Sequence, residues 1–544
     1  MLIASTAAGA FAGACSGDPS PADPSGSGSG AGEGGAAGGG GMGQAGAGGD
    51  LFGDGSAEQD HFAKPVLLPG APDNAPDLFA AADQGAGGPC LYEPELGSLF
   101  PVNWLRPRFR FVPPAGHNLF EIKLTIPNEK SPLVVYSTEP SWTMDKSIWQ
   151  TITTYGTGAP IQVSVRGAVL ENGALTAGPF MGSEGTIEVA PVDAPGSVVY
   201  WTTSGGTILK GFKIGDETVQ DVLKPAQAGT QCVACHASTP DGKYVGYSAR
   251  DNLMLGGNSD RTDIRSVDGQ AAEPPFLTAD GKALLARPGQ EGPLFSKAHW
   301  KQGDYVVVYN FLVNGKWELA WTDLAATSQA QGVGWGVFAR NGDPNPTALA
   351  SFSHDGARIA YYSAPVVDAA VFANDADIHT VDYNSRAGGD AKPLAGASDP
   401  AFNEYYPVFS PDDQLLAFNR VPAGQNCYNN PQAEVFVVPS AGGQATRLIA
   451  NDPPACLGKP SPGVTNSWPR WAPEKKSVGN KSYYFLVFSS TRNVTSAGPQ
   501  LYVTPVVAEG GTITTYSALY LWNQPEVENN HTPAWDAFEL PVPN

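Results

Sequence analysis

Short stretches in which apolar and polar residues alternate begin near Cys90 and are separated by Pro, Gly or Asn. The first of them are NLFEIKLTI (118–126), SPLVVYST (131–138), PIQVSVRGAVL (160–170) and GTIEVAPV (185–192). A period of two places successive side chains on opposite faces of a strand, so each stretch predicts a half-buried β-strand. One different stretch, SWTMDKSIWQTI, predicts a short helix over Ser141–Ile152 with Ser141 as its N-cap.

The strands between residues 92 and 196 resemble those of a β-sandwich, and we expect an immunoglobulin- or fibronectin-like fold there. From residue 197 onward the pattern becomes an internal repeat. LASFSHDGARIAYYS (349–363) and YYPVFSPDDQLLAFNR (405–420) show it best: an aromatic position, a Ser-Pro-Asp-Gly-like turn and an apolar strand. The aromatic position falls at Ser238, Trp300, Phe352, Phe409, Trp471 and Trp535.

This repeat resembles the WD40-like repeats of TolB-type β-propellers, and the resemblance covers residues 197–544. A strand, a tight Asp-Gly turn and a second strand predict a hairpin. Six such first halves and six second halves, such as WELAWTDLA (317–325), imply six blades. The chain enters in a second half, so the strand at TPAWDAF (532–538) is expected to pair with the blade that begins near Val198 and to close the propeller. The expected fold is therefore all-β, a sandwich followed by a six-bladed propeller.

The N-terminus has a different composition. Residues 1–15 contain a short apolar run that ends in Ala12-Gly13-Ala14-Cys15, which resembles the lipobox of a bacterial lipoprotein signal. Lipidation of Cys15 is expected, although no Lys or Arg precedes the run, and a low-complexity tail with one stray Cys is the alternative. Residues 16–84 are rich in Gly and poor in large apolar side chains, which predicts a disordered tether.

The formal net charge of −21 argues against nucleic acid, because phosphate neutralisation needs a basic face. The chain also lacks the nucleophile elbow, the zinc-protease motif, the phosphate-binding loop and the dinucleotide fingerprint. An enzyme of the hydrolase kind is therefore not expected. A lipid-anchored protein of the cell envelope, at the outer membrane, is expected instead.

Cys232-Val-Ala-Cys235-His236 resembles the motif that attaches haem in c-type cytochromes. The resemblance implies that Cys232 and Cys235 hold a haem c through thioethers and that His236 ligates its iron. A Cys232–Cys235 disulfide is the main alternative, and half of a zinc site is a weaker one. His531, His299 and Met254 are candidate distal ligands in that order. His531 stands just before Pro533 in the last repeat, which neighbours the first through closure, His299 stands just before Trp300, and Met254 is the only Met of the propeller segment. His354 and His379 are interpreted as structural.

Of the other cysteines, Cys427 and Cys456 lie in polar segments of one blade and are expected to form a disulfide. Cys90 has no obvious partner. The sequence thus predicts a haem-bearing propeller lipoprotein that transfers electrons to an envelope partner. The alternative is a non-catalytic scaffold whose propeller face binds a protein, peptide or glycan, with Cys232 and Cys235 in a disulfide.

Overall fold

The structure is a computed structural model that describes residues 59–204, 206–252, 259–369, 372–496 and 498–541. Within these ranges most of the regular structure is β-strand, which confirms the all-β prediction. The strands, in chain order, are β1 (Val66–Leu67), β2 (Cys90–Glu93), β3 (Leu99–Phe100), β4 (Arg108–Val112), β5 (Leu119–Thr125), β6 (Leu133–Ser137), β7 (Ser141–Thr143), β8 (Ile161–Glu171), β9 (Ala174–Val189), β10 (Ser197–Thr202), β11 (Ile208–Lys213), β12 (Gln220–Leu223), β13 (Cys232–Ser238), β14 (Tyr244–Arg250), β15 (Arg261–Ser266), β16 (Gln290–Phe295), β17 (Val306–Val313), β18 (Lys316–Asp323), β19 (Trp335–Val337), β20 (Ala339–Asn341), β21 (Thr347–Phe352), β22 (Arg358–Ser363), β23 (Val366–Ala369), β24 (Phe372–Asn374), β25 (Asp377–Asp382), β26 (Gly388–Asp390), β27 (Lys392–Pro393), β28 (Phe402–Phe409), β29 (Leu415–Pro422), β30 (Glu434–Pro439), β31 (Thr446–Arg447), β32 (Ser467–Trp471), β33 (Lys476–Val478), β34 (Lys481–Ser490), β35 (Gln500–Glu509), β36 (Thr512–Thr515), β37 (Leu519–Tyr520) and β38 (Asn530–Asp536). The helices are α1 (Ala75–Phe79), α2 (Lys146–Tyr155), α3 (Pro225–Ala228), α4 (Ala279–Leu285) and α5 (Lys297–Lys301), with 3-10 turns at Asn384–Arg386, Ile449–Asn451 and Ala455–Leu457.

The N-terminal unit contains two sheets that share one apolar core. A six-stranded sheet has the order β1-β6-β5-β8-β9-β3, and a three-stranded sheet has the order β2-β4-β7. Their facing side chains meet where the rings of Phe111 on β4 and Phe120 on β5 approach to 4.9 Å between centroids. Both outer strands of the larger sheet, β1 and β3, pair in parallel with their neighbours.

Two expectations for this unit are corrected. The tether was predicted to reach residue 84, but β1 pairs with β6, and Phe62 and Phe79 are buried against the larger sheet. The few large apolar residues of this segment therefore suffice to dock it. The predicted helix at Ser141–Ile152 starts too early, because Ser141–Thr143 form β7 and pair with β4, and Asp145 stands at the N-terminus of α2.

Six further sheets follow one another along the chain and carry the repeat. Their orders are β12-β11-β10-β38, β13-β14-β15, β16-β17-β18-β19, β21-β22-β25-β27, β28-β29-β30-β31 and β32-β34-β35-β36. The predicted pairing of the C-terminal strand is present, since Val198 of β10 lies opposite Trp535 of β38.

We call β13, β16, β21, β28, β32 and β38 the inner strands. Each contacts the next in this order, and β38 in turn contacts β13, so the sheets have a propeller-like arrangement.

The predicted aromatic position of the second repeat is wrong. Trp300 lies in helix α5 rather than after a strand, and inner strand β16 ends at Phe295. Phe295 contacts Gly246 of the preceding sheet, where an added Cβ would lie 2.7 Å from its ring. Helix α5 follows β16 directly, so Trp300 lies in this helix and not at the aromatic position that the repeat pattern predicts.

The N-terminal unit packs directly on the sheet that contains β34 and β35. Phe485, Val487 and Val503 of that sheet belong to the same buried cluster as the core of the N-terminal unit. Two ion pairs also cross the contact: the partly exposed Arg108–Glu526 pair at 2.9 Å and the buried Arg492–Glu95 pair at 3.0 Å. The two parts therefore form one continuous structure.

Candidate functional site

A cavity opens at one end of the inner strands. Its volume is about 160 Å³, and every inner strand contributes to its wall. The lining residues lie within 235–238, 292–297, 349–354, 407–409, 468–473 and 532–536. Because all six sheets contribute to its wall, the cavity exists only when they are all assembled. A well-formed concave cavity is the default candidate for a ligand site.

A β-bulge in each inner strand shapes the bottom of this cavity. The pairing register of the inner strands shifts at equivalent places, for example between Glu291 and Leu294 and between Ser467 and Arg470. Four of the bulges hold a residue with positive φ directly before a proline: Gly292 (66°), Tyr406 (54°), Trp468 (59°) and Thr532 (51°). A bulge redirects a side chain out of the regular alternation.

The redirected aromatic side chains close the channel below the cavity. Trp468 lines the cavity and stacks on the deeper Tyr406 ring, with 3.8 Å between ring centroids. In the sheet that contains β16 the equivalent position is Gly292, where an added Cβ would lie 2.2 Å from Leu349 Cδ2, so a larger residue there would require the Leu349 side chain to move. The cavity is therefore a funnel with an aromatic floor.

The cysteine–histidine motif lies on inner strand β13. Cys235 and His236 line the funnel, whereas Cys232 is buried at the start of the strand and does not. Burial raises the pKa of the free Cys235 thiol to about 12. Because the Cys235 thiol is free, the alternative prediction of a Cys232–Cys235 disulfide is wrong.

His236 is held by one hydrogen bond. Its Nε2 lies 3.1 Å from the Val199 carbonyl, which makes Nε2 the protonated nitrogen. Its Nδ1 is buried and has no hydrogen-bond partner among the described residues. Burial lowers the pKa of His236 to about 4, so the imidazole is neutral at pH 7.

Among the candidate distal ligands, His531 lies near enough to His236 for the two to interact electrostatically. Its Nδ1 is 2.8 Å from Thr532 Oγ1, and its ring packs edge-on against Trp201 at 4.7 Å. Burial, and then the proximity of His236, lowers the pKa of His531 to about 4. The structure therefore brings these two histidines together.

The other candidates do not join this pair. His299 lies on α5, with its Nε2 2.9 Å from the Gly356 carbonyl and its ring against Tyr383, away from the funnel lining. Met254 lies outside the described residues. His354 stands at the rim and forms a 3.1 Å contact with Asp413, and His379 packs beside Tyr361 on β25. Both of the latter have structural contacts.

A haem does not fit this site as it is folded. Of the two motif cysteines only Cys235 borders the funnel, because three residues of extended strand separate it from Cys232 by about 10 Å, and Cys232 is already disulfide-bonded. A cavity of ~150 Å³ holds one benzene molecule, whereas a haem contains four pyrrole rings. Within the described residues, no three His, Cys, Asp or Glu side chains come together as a metal site.

The remaining cysteines correct the predicted pairing. Cys456 is bonded to Cys90, across a sequence separation of 366 residues, and not to Cys427. Cys427 is a buried thiol whose Sγ accepts a hydrogen bond from the Ala373 N–H. Cys90 thus has a partner in the last third of the chain. Cys15, the predicted lipidation site, lies outside the described residues.

Arg470 is the charged residue that the sequence analysis missed. It lies on inner strand β32 between Trp468 and Trp471 and lines the funnel. The nearest sequence signal was its position inside WPRW, one residue before the aromatic position of the fifth repeat. Lys297 and Asp536 also line the funnel and form an ion pair at 3.0 Å.

Comparisons with known proteins assign no family. No protein-family model matches the chain, and no curated protein matches it. Similar solved structures include an oligogalacturonate lyase in complex with manganese (11% identity, 60% of this chain, 75% of that chain, TM-score 0.31). Another is hydrazine synthase of Kuenenia stuttgartiensis (12% identity, 62% of this chain, 75% of that chain, TM-score 0.28). A third is the GH43 endo-arabinanase of Bacillus licheniformis (15% identity, 52% of this chain, 96% of that chain, TM-score 0.27). Likenesses this weak assign no activity to this chain.

The helices in the part of the chain that the structure describes have at most 10 residues. None of them is long and apolar enough to span a bilayer.

Proposed function

We propose that this protein is a non-catalytic binding protein of the cell envelope and that the funnel is its binding site. The observation that carries the proposal is the funnel itself, one cavity walled by all six inner strands. In this proposal the six sheets are the blades of a closed TolB-like propeller, and the N-terminal unit is a sandwich that supports it.

The titration of the funnel side chains favours binding over nucleophilic catalysis. A cysteine attacks as a thiolate, and the pKa of about 12 keeps Cys235 protonated at neutral pH. His236 has a pKa of about 4, which makes it a poor general base for that thiol. The adjacent Cys235 and His236 are thus not poised as a nucleophile and its base.

Export is part of the proposal. The Cys90–Cys456 disulfide supports an oxidising compartment, where such bonds persist. The lipobox-like segment before Cys15 and the Gly-rich residues that follow would anchor and tether the protein at the outer membrane. The partner would then be an envelope component that reaches the open end of the funnel.

Site-specific photo-crosslinking in cells that naturally make the protein tests this proposal. With p-benzoylphenylalanine at Ala350, in the funnel wall, we expect one discrete adduct that mass spectrometry identifies. The matched control carries the same side chain at Ala423, an exposed residue beyond β29 at the opposite end of the strands. The same adducts at both positions, or none at Ala350, would contradict the proposal.

Covalent haem c for electron transfer is the second candidate. The specific observation in its favour is the buried Nδ1 of His236, an unprotonated nitrogen without a partner, beside the free Cys235 thiol. Neutral imidazole is the form that binds iron. This candidate needs a wider channel than the structure shows, with Cys232 released from its disulfide and brought to the same face.

A visible absorption spectrum tests whether haem is covalently attached to the protein. Protein from a host with cytochrome c maturation machinery is expected to be colourless if the binding proposal holds. The control is a Cys232→Ala/Cys235→Ala variant prepared in the same way. A reducible Soret and α-band pair that disappears in this variant would establish haem attachment and reject the binding-only proposal.

A further inference from the structure

We propose that the funnel binds the carboxylate group of a small, partly aromatic ligand and that Arg470 is the residue that holds it. This inference rests on the proposed function and names the class of ligand that the funnel would take.

Arg470 is half-buried and differs from three more deeply placed arginines in having no carboxylate partner among the described residues. Arg250, Arg340 and Arg492 form ion pairs with Asp260, Asp343 and Glu95 at 2.5, 2.6 and 3.0 Å. Within the described residues, no acidic side chain lies within ion-pair distance of Arg470, and its guanidinium donates only to the carbonyl of its own neighbour Pro469, at 2.8 Å. A charge that is partly removed from water and has no partner is costly, so an external anion is the natural complement.

The funnel is also positive in an otherwise acidic protein. Lys297 and Asp536 neutralise each other, and His354 at the rim contacts Asp413. Arg470 is thus the uncompensated charge of the lining, in a chain with a net charge of −21. Removal from water lowers the pKa of Arg470 to about 10. This value is still well above 7, so the guanidinium is charged at neutral pH.

The walls define the rest of the ligand. Trp468 and Trp471 flank Arg470 in sequence, and Phe352 and Phe409 line the same funnel. A volume of about 160 Å³ is close to the ~150 Å³ that holds benzene, so one aromatic ring with a carboxylate fills it. A guanidinium binds a carboxylate through two parallel hydrogen bonds, which fixes the orientation of such a ligand.

Fluorine NMR titration of the whole protein with 4-fluorobenzoate, and with its neutral isostere 4-fluorobenzamide, tests the inference. We expect benzoate to bind about tenfold more tightly or better, the usual value of a hydrogen bond to a charged group. Arg470→Gln is expected to lose this preference and to retain its affinity for the amide. Arg287→Gln, a matched change at an arginine outside the funnel, should bind both probes as the wild type does.

Folding of the variant is checked separately. Because Arg470→Gln removes an unpaired charge, its Tm is expected to equal or exceed that of the wild type. A lower Tm combined with retained benzoate preference would contradict the inference directly.

Two outcomes separate this inference from the proposed function. Equal binding of benzoate and benzamide, both blocked by Ala350→Trp, would leave a ligand-binding funnel and reject the carboxylate. No binding of either probe at ~1 mM would reject the small-ligand inference, whereas the crosslinking experiment still decides on the funnel.

The carboxylate can come from a free acid or from the C-terminus of a partner chain. A short peptide that ends in 4-fluorophenylalanine, compared with its C-terminal amide, distinguishes the two sources. Tighter binding of the acid peptide than of 4-fluorobenzoate would assign the site to a chain terminus, and the reverse would assign it to a free acid.

Discussion

We expect the Cys90→Ser/Cys456→Ser variant to unfold with a free energy about 4–5 kcal/mol below that of the wild type. The disulfide joins residues 366 positions apart, so it closes a loop that includes most of both parts of the protein. A cross-link over such a loop removes much of the conformational entropy of the unfolded chain. The effect should appear as a lower denaturant midpoint for the transition that separates the N-terminal unit from β34 and β35.

The double variant is expected to remain folded in the absence of denaturant. Phe485 and Val487 remain in the core that they share with the N-terminal unit, and Arg492 still pairs with Glu95. A reductant serves as the control, because it should lower the midpoint of the wild type more than that of the double variant, which retains only the disulfide of Cys232. A double variant that unfolds within ~1 kcal/mol of the wild type would show that the bond does not constrain the unfolded chain.

The second large effect is a loss of stability in mild acid that originates at His236 and His531. Both pKa values are about 4 in the folded protein, below the ordinary value of 6.5 that applies after unfolding. The unfolded chain therefore binds more protons as the pH falls from 6.5 toward 4, which favours unfolding. Between pH 7 and pH 5 each histidine costs about 2 kcal/mol of stability.

Two buried carboxyls act in the opposite direction. Burial raises the pKa values of Glu93 and Glu404 to about 7, so their protonation in the folded state favours folding as the pH falls from 7 toward 4.5. Comparison with the His236→Asn/His531→Asn variant removes this contribution, because both proteins contain these glutamates. Denaturant titrations at pH 7 and pH 5 should show a smaller loss in the variant by about 4 kcal/mol, and equal losses would contradict the assignment.

Local features of this fold could be predicted from the sequence. The hairpin turns were readable because their chemistry is local: Ser353 Oγ donates to Asp355 and Gly356 has a φ of 74°, all within a few residues. The pairing of β38 with β10 was also predictable, because the order of half-repeats leaves the last strand without another partner.

Features that depend on distant contacts were not predictable. Cys90 and Cys456 carry no signal of their pairing, since their proximity exists only after both parts have packed together. The isolation of Arg470 is a property of where the carboxylates of other strands lie, which the sequence WPRW does not contain. The Cys-X-X-Cys-His pattern predicted that both cysteines belong to a single haem site. In the structure the motif lies on an extended strand, which places Cys232 and Cys235 apart, and only Cys235 lines the funnel.

The most direct test of the account is a crystal structure of the protein soaked with 4-bromobenzoate, with data collected at the bromine absorption edge. The account predicts an anomalous peak inside the funnel, with the carboxylate about 2.8 Å from the Arg470 guanidinium and the ring against Trp468. A bound molecule elsewhere on the protein, or a funnel without bromine at saturating ligand, would contradict the claim that this cavity is a carboxylate-binding site.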